Sequence, residues 1–386
     1  MRSGASSVLN LLATVVTVRW FGADVYASYV VDLALLSVGM VLLEIVPSNY
    51  SVFRMQDDPS WKDSVAAQII LTMLVAIAAV IVVGLHTSLF RSYTAWMALY
   101  AATVAAKRYL DLRLQSSGRL PEFMNLEFSS SAIRLALLIF CFVLQSDPTF
   151  AVWGSLAIAS ALSQAVWWVC NSSELRVLAK SVDRHAWLAI CKEFPKFIPY
   201  YSGIVLKRIK DNLVPLVAEM LFSPREVLAL FFLSYRGVVF AVGQIRILEA
   251  LMNHRVSLER ATAMSATQLA MLTLVVHILC LIASTALLIA SGLNELPWFA
   301  TFVMSFMVWP VAYLVMERSK AYSQFQASWV NGSIIVYIVG VGTLSLVMKT
   351  LGLGSLTSFA LTLVISELFA VIFIKAKNRS SDATPY

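Results

Sequence analysis

The chain has 386 residues, 59% hydrophobic and only 13% charged, with 29 Lys and Arg against 22 Asp and Glu and a mean hydropathy of +0.78. A soluble domain carries about 25% charged residues, so soluble enzymes and nucleic-acid binders are set aside despite the net charge of +7. What remains is an integral membrane protein of many helices, with its basic residues gathered between apolar segments.

Twelve apolar segments of roughly spanning length follow in order: residues 4–18, 25–46, 65–90, 93–110, 121–144, 149–170, 196–221, 226–251, 267–289, 297–316, 327–348 and 353–374. Met1-Arg2 precedes the first, and no small-residue cleavage site separates it from the second, so the first segment is expected to stay as a membrane helix rather than leave as a signal peptide. Lys and Arg on alternate sides divide twenty to four. Arg2, Arg54, Lys62, Lys107, Arg108, Arg113, Arg119 and the basic residues from Arg176 to Lys196 share one side with Arg246, Arg255, Arg260, Arg318, Lys320, Lys375, Lys377 and Arg379, against Arg19, Arg91, Arg225 and Lys349. The positive-inside rule then places both termini in the cytoplasm.

The longest charged interval, 171–195, separates six segments from six, as in transporters built from two parallel six-helix repeats. The expected organisation is an N-terminal lobe over 1–175, a cytoplasmic linker over 176–195 and a C-terminal lobe over 196–386. Arg108, Asp111, Arg113, Arg119 and Glu122 are expected to form a compact basic loop that fixes topology and touches anionic lipid headgroups.

The seventh segment carries Lys207-Arg208-Ile209-Lys210-Asp211-Asn212 near its middle. Charges at that depth are expensive and should face a polar interior rather than lipid. At 100° per residue, Tyr200, Lys207, Asp211 and Ala218 fall within about 40° of one another, and Arg208, Tyr201, Asn212 and Glu219 extend the arc to roughly 140°. Lys210 lies outside this arc, on a side open to a neighbouring helix. Lys207 is about 16 Å from the helix start, close to the midplane, and Pro215 should bend or loosen the helix. An internal Lys207–Asp211 pair at i,i+4 is the competing structural reading.

Arg236 in the eighth segment and Arg134 in the fifth reach similar depth, and arginine binds phosphate oxygens bidentately where lysine does not. Lys207, Arg208, Asp211, Arg236 and Arg134 are therefore the candidate substrate-binding residues. Asp32 and Glu367 are candidates either for binding a coupling proton or sodium ion or for pairing with the buried cations; Glu44 and Glu127 are further pairing candidates. His277 reads as a polar helix contact rather than a proton relay. Cys141, Cys170, Cys191 and Cys280 show no metal or redox spacing and read as small hydrophobes. No phosphate-binding loop, zinc site or nucleophile motif is present, so no cofactor, metal or catalytic residue is expected.

The two halves echo each other after their first helices, at Phe21-Gly-Ala-Asp-Val-Tyr-Ala-Ser-Tyr and Phe222-Ser-Pro-Arg-Glu-Val-Leu-Ala-Leu-Phe. The opening helix followed by Arg19-Trp-Phe-Gly-Ala-Asp-Val-Tyr-Ala-Ser-Tyr resembles the start of polysaccharide flippases, the Wzx-like O-antigen translocases of the multidrug/oligosaccharidyl-lipid/polysaccharide (MOP) superfamily. Phe194-Pro195, a helix with Asp211-Asn212, then Tyr235-Arg236 is similar to the start of that family's second lobe. Two features depart from it: helix one begins almost at the N-terminus, and the charge cluster of the seventh segment is denser.

The resemblance implies an all-α membrane protein of about twelve transmembrane helices in two six-helix lobes around a cavity that opens alternately to each side. It implies transport of an undecaprenyl-pyrophosphate-linked oligosaccharide across the bacterial inner membrane, with membrane lipids and the polymerase and glycosyltransferases of the same pathway as partners. A MATE-like drug or organic-ion antiporter is the second reading, for which an acidic interior is expected. An integral-membrane glycosyltransferase or polymerase is the third; the short external connections speak against it.

Overall fold

The computed structural model describes residues 2–42, 74–75, 77–82, 94–116, 119–171, 184–222, 225–256, 266–293, 297–323 and 327–382. Most of the third predicted segment, Glu44, the loop with Arg54 and Lys62, Arg91, the stretch with Arg176 and Lys180, and Arg260 lie outside the described residues. The side chains of Asp111, Arg113 and Cys191 do so as well.

The fold is all-α, and every regular element among the described residues is a helix. They are α1 (Arg2–Val16), α2 (Ala23–Leu42), α3 (Thr94–Ser116), α4 (Leu120–Val143), α5 (Ser155–Cys170), α6 (Arg184–Leu221), α7 (Arg225–Val256), α8 (Ala266–Ser291), α9 (Trp298–Ser305), α10 (Val308–Ser323), α11 (Ala327–Thr350) and α12 (Leu356–Asp382). Among the described residues, seven stretches are long and apolar enough to cross a bilayer. α6 is also long enough, with 38 residues, but carries Lys207, Arg208, Lys210 and Asp211 within two turns.

Local chemistry explains the boundaries. α1 widens into a π-type turn over Thr17–Phe21 and stops at Gly22, whose φ of 101° suits glycine. The Gly22 amide still bonds the Val18 carbonyl at 3.1 Å, so α2 follows at once and the expected tight turn forms. Pro121 sits in the first turn of α4, where its missing N–H costs nothing.

The segment predicted over 297–316 is two helices, α9 and α10, and Pro310 supplies the reason. It cannot donate to the Phe306 carbonyl, which instead accepts the Trp309 amide at 3.1 Å, tightening the chain at Phe306 and Met307.

Two expectations need correction. α6 begins at Arg184 and not near residue 196, so the polar stretch is helical from there, and the helix runs on through Pro195, Pro199 and Pro215 to Leu221. Arg108 lies within α3 and Glu122 in the first turn of α4, so they belong to helices and not to a loop.

The chain divides into two compact units, Met1–Val205 and Leu206–Tyr386, with the division inside α6. In the first unit α4 packs on α1 and α5, and α5 also packs on α3. In the second, α12 packs on α9, α10 and α11, and α7 on α8 and α10.

The helices are built inside out relative to a soluble protein. α8 exposes Met271, Ile282 and Ile289 at 68, 59 and 60%, yet buries Thr273 and Ser284 at 2 and 0%. Aliphatic surface outside and small polar residues between helices is the pattern lipid solvent selects. The chain is a multi-pass membrane protein. Close approach is visible at Gly237, where an added Cβ would lie 2.0 Å from Ser284 Oγ and 2.7 Å from its backbone nitrogen. Ser284 Oγ donates to the Ser234 carbonyl at 3.1 Å, binding α8 to α7.

Candidate functional site

In the second unit, the centre of polar chemistry is Lys210, which the helical-phase argument placed outside the charged arc. Its Nζ lies 2.6 Å from Glu367 Oε1 on α12 and 4.2 Å from the centroid of the Tyr337 ring on α11. Lys210, Glu367 and Tyr337 are 9, 2 and 1% exposed, so the pair lies in the interior of the unit. α6 presents this side because Val214 and Ala218, one and two turns further on, are also buried. Of the two roles considered for Glu367, pairing is what the geometry shows, and its partner is Lys210.

Asp211 and Arg318 are close enough to act electrostatically on Lys210, and Tyr235 and Asp211 on Tyr337. Tyr235 stacks on Phe231, with centroids 6.0 Å apart and planes at 7°. Phe231 in turn packs on Phe359 and Phe222. Tyr235 thus belongs to an aromatic cluster that joins α7 to α12.

The arc cations are arranged differently. Lys207 and Arg208 are exposed, while Asp211 and Asn212 are half-buried. Asn212 Nδ2 donates to the Arg208 carbonyl at 2.8 Å, a local bond that ties up its amide. Lys207 and Asp211 both have interaction partners. Arg236 on α7 is half-buried, with no ion pair among the described residues.

In the first unit the counterpart is Arg134 on α4, 8% exposed. Its Nη2 donates to the Tyr29 hydroxyl at 3.0 Å, and its guanidinium carbon lies 5.3 Å from the centroid of the same ring. Tyr29 packs edge-on against Trp153, which is 2% exposed. No carboxylate pairs with Arg134 among the described residues, and its Nε is buried without a hydrogen-bond partner. Asp32, one turn from Tyr29 on α2, is 3% exposed and has a partner of its own. Glu127, another candidate acid, pairs with Lys107.

Towards the end of α4 nearer Arg119, that residue holds Glu122 through two bonds of 2.6 and 2.5 Å, and the Trp167 indole donates to the same carboxylate at 3.3 Å. His277 is 8% exposed, its Nδ1 3.2 Å from the Ser305 carbonyl. That is the polar helix contact expected of it. Among the described residues no cluster of metal-ligand type occurs.

Tyr337 and Trp153 are not among the sequence candidates, and Tyr29 and Tyr235 stand there only as parts of the two motifs. The available signal was an aromatic residue with a polar tip inside a spanning segment, which is as often a plain packing residue.

Comparison with solved structures decides the fold. A multidrug resistance MATE family transporter of the MOP superfamily, in an inward-facing conformation, superposes with a TM-score of 0.63 at 16% identity over 98% of this chain and 95% of that one. A MOP superfamily transporter from Pyrococcus furiosus, described by the reverse polarity of its binding pocket, gives 0.63 at 14% identity over 99% and 94%. The fold is that of the MOP-superfamily transporters. Lipid II flippase MurJ in an inward closed conformation shares it, at a TM-score of 0.60 and 12% identity over 98% and 86%. No family profile and no curated protein matches the sequence. The same fold thus serves a multidrug resistance transporter and a lipid II flippase.

Proposed function

We propose that the chain is a flippase that moves an oligosaccharide linked to undecaprenyl pyrophosphate, such as an O-antigen or other surface-polysaccharide repeat unit, across the bacterial inner membrane by alternating access. The observation that carries this reading is the pattern of charge compensation. Glu367 is already occupied by Lys210, whereas Arg134 is buried, and Arg236 half-buried, with no carboxylate partner among the described residues. A buried guanidinium without a counter-ion carries a desolvation penalty of several kcal/mol, and a phosphate oxygen is the ligand that relieves it best. Lys207 and Arg208 add cationic character on α6, and Asp211 partly offsets it. A transporter of organic cations calls for unpaired acids instead.

In this proposal both termini are cytoplasmic, the polymerase and glycosyltransferases of the pathway act before and after the flippase, and a proton or sodium gradient can drive it. The cellular test is deletion of the coding sequence with analysis of the lipid pool. Accumulation of the complete lipid-linked oligosaccharide in the inner leaflet is expected, restored by the wild-type chain but not by a chain with Arg134→Met and Arg236→Met. Full glycan export by that double variant, at normal abundance, overturns the assignment of these residues.

A further inference from the structure

The Lys210–Glu367–Tyr337 cluster is unlike a surface salt bridge. An ammonium group sits 2.6 Å from a carboxylate oxygen and 4.2 Å over an aromatic face, with all three side chains at or below 9% exposure. A carboxylate and an aromatic face both attract a monovalent cation, and here the two meet at one point inside the unit. The second oxygen, Glu367 Oε2, is buried and has no hydrogen-bond partner, so the carboxylate retains capacity for a further ligand. The charged groups around the pair are Asp211 on α6, which favours a cation here, and Arg318 on α10, which opposes one. Tyr235 on α7 is close enough to act electrostatically on Tyr337. Arg318 is itself directed to Ser333 Oγ, at 3.4 and 3.3 Å, and leaves Glu367 to Lys210.

We infer that Lys210 is a tethered cation: its ammonium fills a monovalent-cation site formed by Glu367 and Tyr337, so the second unit compensates Glu367 without a soluble ion. Truncating Lys210 to Ala removes the tether, from Cγ to Nζ, and leaves a narrow vacancy that ends at a carboxylate and a ring. The site then takes Na+, K+ or NH4+ from solution. Choline, which cannot enter a cavity of that size, stays out. The inference does not depend on the cargo, and its test reads stability rather than transport.

The experiment is thermal unfolding of the purified full chain in detergent at neutral pH, with NaCl, KCl or NH4Cl replacing choline chloride at constant ionic strength. The wild-type chain is expected to unfold at the same temperature in all four salts. Lys210→Ala should unfold earlier in choline and recover by a few degrees, with saturation, as a small cation is added. Lys210→Met with Glu367→Gln, a neutral pair of similar volume, should fold and show no cation response. This variant and the wild type remain informative if Lys210→Ala fails to fold. A saturable Na+ or K+ response in the wild type that Glu367→Gln abolishes would overturn the inference, because a soluble ion would then already occupy the site. A folded Lys210→Ala with no response to any small cation would overturn it equally.

Discussion

Replacing Arg134 with Met separates a binding cation from a structural one. At 8% exposure the guanidinium has one charge-assisted hydrogen bond, 3.0 Å to Tyr29, and a ring contact at 5.3 Å. Losing the hydrogen bond removes about 1.5–3 kcal/mol, and losing the cation–π contact about 2 kcal/mol in a desolvated setting. Against this, the substitution relieves the penalty of a buried charge that has no carboxylate partner, which is several kcal/mol. Met also fills irregular space with little strain. The opposing terms nearly cancel, so the folding free energy should change by less than about 2 kcal/mol. A structural ion pair losing one member would lose about 3–5 kcal/mol. Transport should nevertheless fall by about a hundredfold, equivalent to roughly 3 kcal/mol of lost phosphate contact. Arg134→Lys, which keeps the charge but not the bidentate fork, should lie between. The assay is denaturant unfolding in micelles beside flipping measured per mole of folded protein. A loss of more than about 3 kcal/mol in stability, with transport reduced only in proportion to the folded fraction, would refute the reasoning.

Gly237→Ala should destabilise the second unit by about 1–3 kcal/mol, because its Cβ would fall 2.0 Å from Ser284 Oγ and 2.7 Å from its backbone nitrogen; unfolding of Gly237→Ala and of Gly39→Ala, where a Cβ meets nothing within 4 Å, makes the comparison. Fusion of green fluorescent protein to the C-terminus should give fluorescent cells, and fusion of alkaline phosphatase there should give inactive enzyme, as the charge distribution requires. The reverse pattern would invert the proposed topology.

Much of the fold was legible because lipid solvent imposes long apolar runs, and α8, α11 and α12 lie close to where hydropathy places them. The departures have local causes. Hydropathy misses the turns of α6 that begin at Arg184 because they are polar, and it reports lipid contact rather than helicity. The break between α9 and α10 comes from one missing amide at Pro310, inside an otherwise uniform apolar run.

Within the site, the buried state of Arg134 followed from its depth. The burial of Lys210 did not, because the arc was drawn through the most charges and the side facing α12 was the one with a single lysine. Only the packing of α6 near Tyr337 and Glu367 reveals that this lysine lies inside and that Lys207 and Arg208 lie at the surface of the unit.

The central claim is that the chain moves an anionic lipid-linked glycan from one leaflet to the other. The most direct measurement uses the purified chain in liposomes holding a fluorescent undecaprenyl-pyrophosphate oligosaccharide, with a membrane-impermeant quencher added outside. Quenching should proceed from about half of the probe, the outer leaflet alone in empty liposomes, towards completion in liposomes with the wild-type chain, and stay near half with the variant carrying Arg134→Met and Arg236→Met. Quenching that stops at half with folded wild-type protein, while the same liposomes accumulate a cationic dye against a gradient, would contradict the account.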